Sequence, residues 1–107
     1  LGAPYSSLST SYGWQEAMSL ASEKPVLLME FGVGYAYDGN RTSWFQSFFN
    51  DVRTNPNMNK LNAILYWQET VPPYDTRLAP NDPDVQVWKD ELLAYPNYWH
   101  SRVETGL

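Results

Sequence analysis

The stretch Pro25-Val-Leu-Leu-Met-Glu-Phe-Gly32 decides the fold of this chain. From Pro25 to Phe31 it is apolar except for Glu30, and it has the length of a single strand. Continuous rather than alternating apolarity is typical of a parallel strand that is covered on both faces. A second run of this kind, Leu61-Asn-Ala-Ile-Leu-Tyr-Trp67, predicts a second strand.

Upstream of the first strand, the spacing of apolar residues predicts an amphipathic helix. Ser11 is its expected N-cap, and the helix should end near Glu23 and Lys24, because Pro25 disfavours helical geometry in the residue before it. The apolar positions that define its buried stripe are Trp14, Ala17, Met18 and Ala21.

Two further helices are predicted, one between the strands and one after them. The first of these should be capped by Thr42 and end at Asn55-Pro56-Asn57, whereas the second should start with Asp82 as N-cap and Pro83 at its first position. Their expected buried stripes are Trp44, Phe45, Phe48, Phe49 and Val52, and then Val85, Trp88, Leu92 and Leu93.

The resulting order of helix, strand, helix, strand, helix predicts an α/β fold with parallel strands joined by right-handed crossovers. Two parallel strands alone would leave apolar edges open to other chains. We therefore expect residues 1–107 to form a single partial domain of a larger sheet. Residues 1–10 are then a loop entering from upstream, and residues 99–107 are a tail.

Length and charge exclude several classes of protein. The 107 residues are enough for one small domain but not for a complete (β/α)₈ barrel, which needs roughly 200. The formal net charge of -5 argues against binding to nucleic acid or to an anionic membrane surface. No apolar run approaches the ~20 residues of a transmembrane helix, so we expect no membrane insertion.

Neither a cofactor nor a metal is expected. The chain has no cysteine, and its His, Asp and Glu residues show no spacing typical of a metal site. Gly32 and Gly34 begin a G-x-G pattern, but Tyr37 stands where a dinucleotide loop needs its third glycine. Because the sequence begins with Leu1 rather than Met, we interpret its start as a processing or other boundary, which is compatible with the loss of a targeting segment upstream.

Chemically active residues stand at the end of both predicted strands, where α/β proteins carry their sites. Glu30 precedes the glycine turn after the first strand, and Trp67 ends the second. Indole rings pack on the C-H faces of sugars, and a carboxylate can attack an oxocarbenium-like centre. The pair therefore suits carbohydrate chemistry, although a Glu paired with a nearby cation and a Trp in a core are the ordinary alternatives.

Four segments together resemble the end of the catalytic domain of glycoside hydrolase family 26, which contains β-mannanases and some β-glucanases. They are Lys24–Gly32, the aromatic-rich helix Thr42–Arg53, Leu61–Trp67 and Asp82–Tyr98. The resemblance extends from about Trp14 to Tyr98. It implies that the chain supplies the last part of a (β/α)₈ barrel, from the sixth helix to the eighth helix.

The resemblance also implies roles for individual residues. Glu30 matches the nucleophile of the family, and Trp67 resembles the aromatic platform at the cleavage point. Phe31, Tyr35 and Tyr37 lie on the loop expected to face the sugar chain. The acid/base Glu of the family has no counterpart here, so this chain alone is not expected to be active.

Other ionisable residues near the strand ends are weaker candidates. Asp38, Glu69 and Asp75 are the carboxylates that could replace the missing acid/base, and a solvated surface charge is the ordinary explanation for each. His100, the one histidine, follows the last helix and is more simply explained as a packing or surface residue.

The triplet Asn40-Arg41-Thr42 is an N-glycosylation acceptor on a loop expected to be exposed. Together with the family resemblance it predicts a glycan at Asn40 and a secreted or cell-surface protein.

Three readings of function remain open. The first is a part of a retaining endo-β-glycosidase acting on a mannan- or glucan-type polysaccharide. The second is a non-catalytic extracellular glycoprotein in which a hydrolase-like barrel binds carbohydrate or has a structural role. The third is one piece of a split barrel, whose remaining strands come from another chain. The mass of the natural protein and the residues upstream of Leu1 would distinguish them.

Overall fold

The computed structural model describes residues 5–20, 24, 26–34, 40–71 and 74–99; at Met29, Glu30, Val71 and Tyr74 it describes the backbone only. Within these residues the chain forms three α-helices and four strands, interspersed with two short 3₁₀ turns, Leu8–Thr10 and Pro56–Met58. In chain order the elements are α1 Trp14–Leu20, β1 Val26–Phe31, α2 Arg41–Thr54, β2 Leu61–Tyr66, β3 Thr70–Val71, β4 Tyr74–Asp75 and α3 Pro83–Ala94.

The two predicted strands form a parallel pair, as their continuous apolarity indicated. Val26 lies opposite Leu61, and at the other end Phe31 lies opposite Tyr66, with irregularities in the register between. The hydrogen bond from the Trp67 amide to the Phe31 carbonyl, 2.8 Å long, continues the pairing one residue beyond β2. A small antiparallel hairpin of β3 and β4, which the sequence did not predict, follows this parallel pair.

An aromatic core fills the space between the parallel strands and the helices α2 and α3. Phe31 packs against Phe48 with ring centroids 4.9 Å apart, and Phe49 packs edge-on against Trp88 at 4.8 Å. Phe45 and Phe48 are fully buried, which confirms their predicted place in the buried stripe of α2. The aromatic residues of the sequence therefore provide most of the packing between sheet and helices.

The opposite face of the parallel pair is exposed in the described part of the chain. Leu27 lies opposite Ala63, so both point to the same face, and alternation along β2 adds Leu65 and Trp67 to it. Leu27 and Leu65 are 53% and 52% exposed. The expectation that both faces would be covered is met on one face only.

The first two helices begin differently from the prediction. Gly13, with φ at 84°, separates Ser11 from the start of α1, so Ser11 is not its N-cap. The cap of α2 is Asn40, whose Oδ1 accepts a hydrogen bond from the Ser43 amide at 2.9 Å. Thr42 is not the cap, because its hydroxyl donates to Asp84 of α3 instead.

In α3 the start is as predicted, and Trp88 of the expected stripe packs against the core, but Leu93 does not. Pro83 is the first helical residue, although the Asp82 side chain makes no capping hydrogen bond. The buried residues include Asp84 and Glu91, whereas Leu93 is 78% exposed. The reason is that both carboxylates pair with arginines of α2, which turns that side of α3 toward the core.

Candidate functional site

The carboxyl ends of β1 and β2 lie side by side, which brings the two residues singled out in the sequence onto adjacent strand ends. Glu30 is the penultimate residue of β1, and its backbone is one residue from the Phe31 carbonyl that accepts the Trp67 amide. This edge of a parallel sheet is where α/β proteins gather their functional groups.

Trp67 belongs to the exposed face of the parallel pair and is 38% exposed. Both of its main-chain polar groups are bonded, the amide to Phe31 and the carbonyl to the Thr76 hydroxyl at 2.7 Å. The indole is thus carried on a backbone that is hydrogen-bonded on both sides, and it exposes part of a flat apolar ring to solvent.

Phe31, expected on the sugar-facing loop, lies in the core and is only 8% exposed. Its ring stacks with the rings of Trp44 and Trp88 and so contributes to the packing between β1 and the helices α2 and α3. Tyr35, Tyr37, Asp38 and His100 lie outside the described residues.

A buried threonine that the sequence did not reveal connects the two strand ends. Thr76 is 4% exposed, and its hydroxyl donates to the Trp67 carbonyl while accepting the Glu69 amide at 3.1 Å. Its carbonyl accepts a hydrogen bond of 2.6 Å from the Tyr66 hydroxyl, which also accepts the Val33 amide at 3.2 Å. We call Thr76, with these bonds to residues 66, 67 and 69, the Thr76 clamp.

The residue after β1 is held tightly against this clamp. A Cβ placed on Gly32 would lie 2.8 Å from Thr76 Cγ2 and 3.2 Å from the Trp67 carbonyl oxygen. The glycine therefore permits a close approach that any other residue would obstruct. Burial raises the pKa of the Tyr66 hydroxyl, so at neutral pH it is a neutral donor to Thr76.

A cluster of polar groups around Arg41 connects the loop after β1 to the starts of α2 and α3. Arg41 is 4% exposed; its Nε donates to Asp84 Oδ2 at 2.8 Å and its Nη1 to the Val33 carbonyl at 3.2 Å. Asp84 also accepts the Thr42 hydroxyl at 2.6 Å, and Asp82 lies 3.5 Å from Arg41 Nη2. This cluster was not predictable from the sequence, because Asp82 and Asp84 are ordinary helix-start residues when seen within α3 alone.

The nearby carboxylates are poorly suited to replace an acid/base. Glu69 is exposed, and its carboxylate accepts the Thr70 amide at 3.1 Å. Hydrogen bonds from Arg77 lower the pKa of Asp75 to about 2, so this group is ionised throughout the physiological range. A general acid must carry its proton at working pH, which Asp75 does not.

An open depression of about 920 Å³ begins directly after Trp67. Gln68, Asp75, Arg77 and Asn81 contribute its polar groups, and Leu78 contributes an apolar patch. Amide, carboxylate and guanidinium groups of this kind can hydrogen-bond to a hydroxyl-rich ligand.

Asn40 is exposed at the start of α2. Its Oδ1 forms the cap, whereas N-glycosylation modifies the amide nitrogen, so the two roles use different atoms.

The described residues contain neither a metal-binding cluster nor a membrane-spanning helix. No group of three or more His, Asp or Glu side chains among them could hold a metal ion. None of the helices described is long and apolar enough to cross a membrane.

No protein-family model, curated protein or solved structure matches this chain.

Proposed function

We propose that this chain is the C-terminal part of a (β/α)₈ glycoside hydrolase similar to family 26. The complete barrel would cleave an internal β-linkage in a mannan or glucan with retention of configuration. The remaining barrel segment comes from the same or another chain, and the proposed partner of the site is the polysaccharide.

The observation that carries the proposal is the parallel pairing of β1 with β2, which sets the strand end of Glu30 beside Trp67. Two further features support it. The helices α2 and α3 cover one face of the pair, as the outer helices of a barrel do. The exposed Leu27 and Leu65 lie on the other face, where a barrel would bury them in its interior.

In the proposed mechanism, Glu30 attacks the anomeric carbon and the bond to the leaving oxygen breaks, which gives a glycosyl-enzyme intermediate. A Glu outside this chain protonates the leaving oxygen and then removes a proton from the water that hydrolyses the intermediate. Trp67 supports the sugar ring at the cleavage point.

The test is the Glu30→Gln variant of the complete natural protein, assayed for hydrolysis of soluble mannan and β-glucan. We expect turnover to fall by about three orders of magnitude or more, because no nucleophile remains. Polysaccharide binding and the unfolding temperature should be close to those of the wild type.

Glu69→Gln is the matched control, since Glu69 is exposed and lies near the same strand ends. It should retain turnover within about twofold. Unchanged hydrolysis in Glu30→Gln would refute the assignment of the nucleophile.

A non-catalytic carbohydrate-binding protein is the second candidate. It is favoured by the exposed indole of Trp67 and by a sequence that holds no counterpart of the acid/base Glu. Under this alternative we expect Trp67→Ala to abolish polysaccharide binding, whereas neither the wild type nor Glu30→Gln hydrolyses any polysaccharide.

The same proposal includes secretion or display at the cell surface, with a glycan at Asn40. It is supported by the exposure of Asn40 at the start of α2 and by the complete acceptor triplet.

A further inference from the structure

We propose that Thr76 is a positioning residue that fixes Trp67 for sugar binding and thereby determines the affinity of the site. The inference rests on the proposed function, because it assigns Trp67 the contact with the sugar. It adds a residue that the sequence and the family resemblance did not single out.

The Trp67 backbone is held by hydrogen bonds on both sides. On one side its amide donates to the Phe31 carbonyl of β1 at 2.8 Å. On the other side its carbonyl accepts the Thr76 hydroxyl at 2.7 Å. With both groups bonded, the peptide planes that flank Trp67 are fixed, and so is the direction in which the indole leaves the chain.

The position of Thr76 is itself set by several independent contacts. Its amide donates to the Glu69 carbonyl at 3.0 Å, and its carbonyl accepts the Tyr66 hydroxyl at 2.6 Å. Its methyl group lies against Gly32, the residue directly after the strand that carries Glu30. The Thr76 clamp therefore fixes the position of Trp67 relative to the ends of both β1 and β2.

A fixed orientation of Trp67 lowers the entropic cost of ligand binding. An aromatic platform that is already oriented binds without the loss of conformational entropy that ordering a mobile side chain would require. Loss of the Thr76 hydroxyl would leave the Trp67 carbonyl without its donor and allow the segment 67–69 to relax. The effect should appear in ligand affinity as well as in stability.

The experiment compares Thr76→Val, which keeps the shape and removes the hydroxyl, with Thr76→Ser, which keeps the hydroxyl. Both are made in the complete natural protein, and binding of β-1,4-mannohexaose and cellohexaose is measured by calorimetry at a temperature where every variant is folded. For the hexaose that the wild type binds, we expect Thr76→Val to lose about five- to tenfold in affinity. Thr76→Ser should stay within about twofold.

Thr70→Val is the matched control, because it removes an exposed threonine hydroxyl from the same hairpin. Amide exchange at Trp67 and Glu69 is measured in parallel and should accelerate in Thr76→Val but not in the control. If Thr76→Val does not fold, Tyr66→Phe replaces it, since this change removes the hydroxyl that donates to the Thr76 carbonyl, together with its hydrogen bond from the Val33 amide.

The outcomes separate this inference from the proposed function. Equal affinity in the wild type and in the hydroxyl-free variant overturns the positioning role and leaves the proposed function standing. A wild type that binds neither hexaose is recognised before any variant is compared, and it overturns both. Weaker binding in Thr76→Ser than in Thr76→Val would also overturn the inference, because the methyl group rather than the hydroxyl would then be responsible.

Discussion

At the residue scale, two arginine–aspartate pairs differ chiefly in how deeply they are buried. The side chains of Arg41 and Asp84 are 3% and 7% exposed, whereas those of Arg77 and Asp75 are 64% and 38% exposed. The exposed pair is screened by water, and such pairs contribute little to folding. Removal of one partner of a buried pair leaves an uncompensated charge in the interior.

We predict that Arg41→Ala lowers the free energy of unfolding by about 3 kcal/mol or more, because Asp84 loses its buried counter-charge. Arg77→Ala is the control and should leave the urea midpoint unchanged. Both are measured by urea unfolding of the natural protein. Equal small losses in the two variants would show that Arg41 contributes no more than a surface residue.

At the scale of elements, the Asp51 carboxylate joins the segment of residues 5–10 to α2, beside the packing of the Tyr5 ring against Trp44. Asp51 accepts hydrogen bonds from the hydroxyls of Tyr5 and Ser7 and from the Asn55 amide group. Burial, followed by the hydrogen bond to Asp51, raises the pKa of Tyr5 above its usual range. A raised phenol pKa contributes stability that is complete below about pH 10 and is lost as the pH rises through the folded-state value.

We predict that Asp51→Ala lowers the pKa of Tyr5 but leaves it above the ordinary value, because burial is the larger cause. The measurement is the pH dependence of the Tyr5 ¹³Cζ chemical shift. Asp90→Ala on the exposed side of α3 is the control and should not change it. A Tyr5 pKa that is the same in Asp51→Ala and wild type would exclude the carboxylate as a contributor.

The elements themselves were predictable to the extent that their signals were local. The apolar runs ending at Phe31 and Trp67 gave both main strands within one residue, and the aromatic stripe of α2 gave most of the core. Thr76 was not predictable, because its partner Trp67 lies nine residues earlier and is reached only through the hairpin of β3 and β4.

The stripe of α3 was predicted correctly at Trp88, which packs against Phe49 of α2, but wrongly at Leu93 for a related reason. Hydrophobicity alone favours burial of Leu93, but the interface with α2 also contains two ion pairs. Glu91 is buried because Arg53 Nε and the Trp99 indole N-H both donate to its Oε2 at 2.6 Å. Such pairing depends on two helices meeting in space, which a pattern within one helix does not encode.

At the scale of the whole molecule, the two faces of the parallel pair have unequal surroundings. One face carries the aromatic core, whereas the other presents Leu27 and Leu65 as exposed side chains. Apolar side chains that stand next to one another on a sheet face usually mark an interface. The proposed remainder of the barrel would cover them.

We predict that Leu65→Lys destabilises the complete natural protein by about 2 kcal/mol or more, because a covered leucine would become a buried charge. Leu93→Lys is the control: its leucine is more exposed and lies on the outer helix α3. Thermal unfolding of both variants tests the difference. An equal, small effect of the two substitutions would mean that the sheet face is open to water in the complete protein.

The contact between Gly32 and Thr76 predicts that these two positions, which are far apart in the chain, are substituted together during evolution. A side chain at position 32 collides first with the Thr76 methyl group, and a serine at position 76 would remove that methyl. Related sequences that differ here should therefore change both positions together, the smaller residue at 76 accompanying any side chain gained at 32. A side chain gained at position 32 without that change would move the strand end of Glu30 away from Trp67.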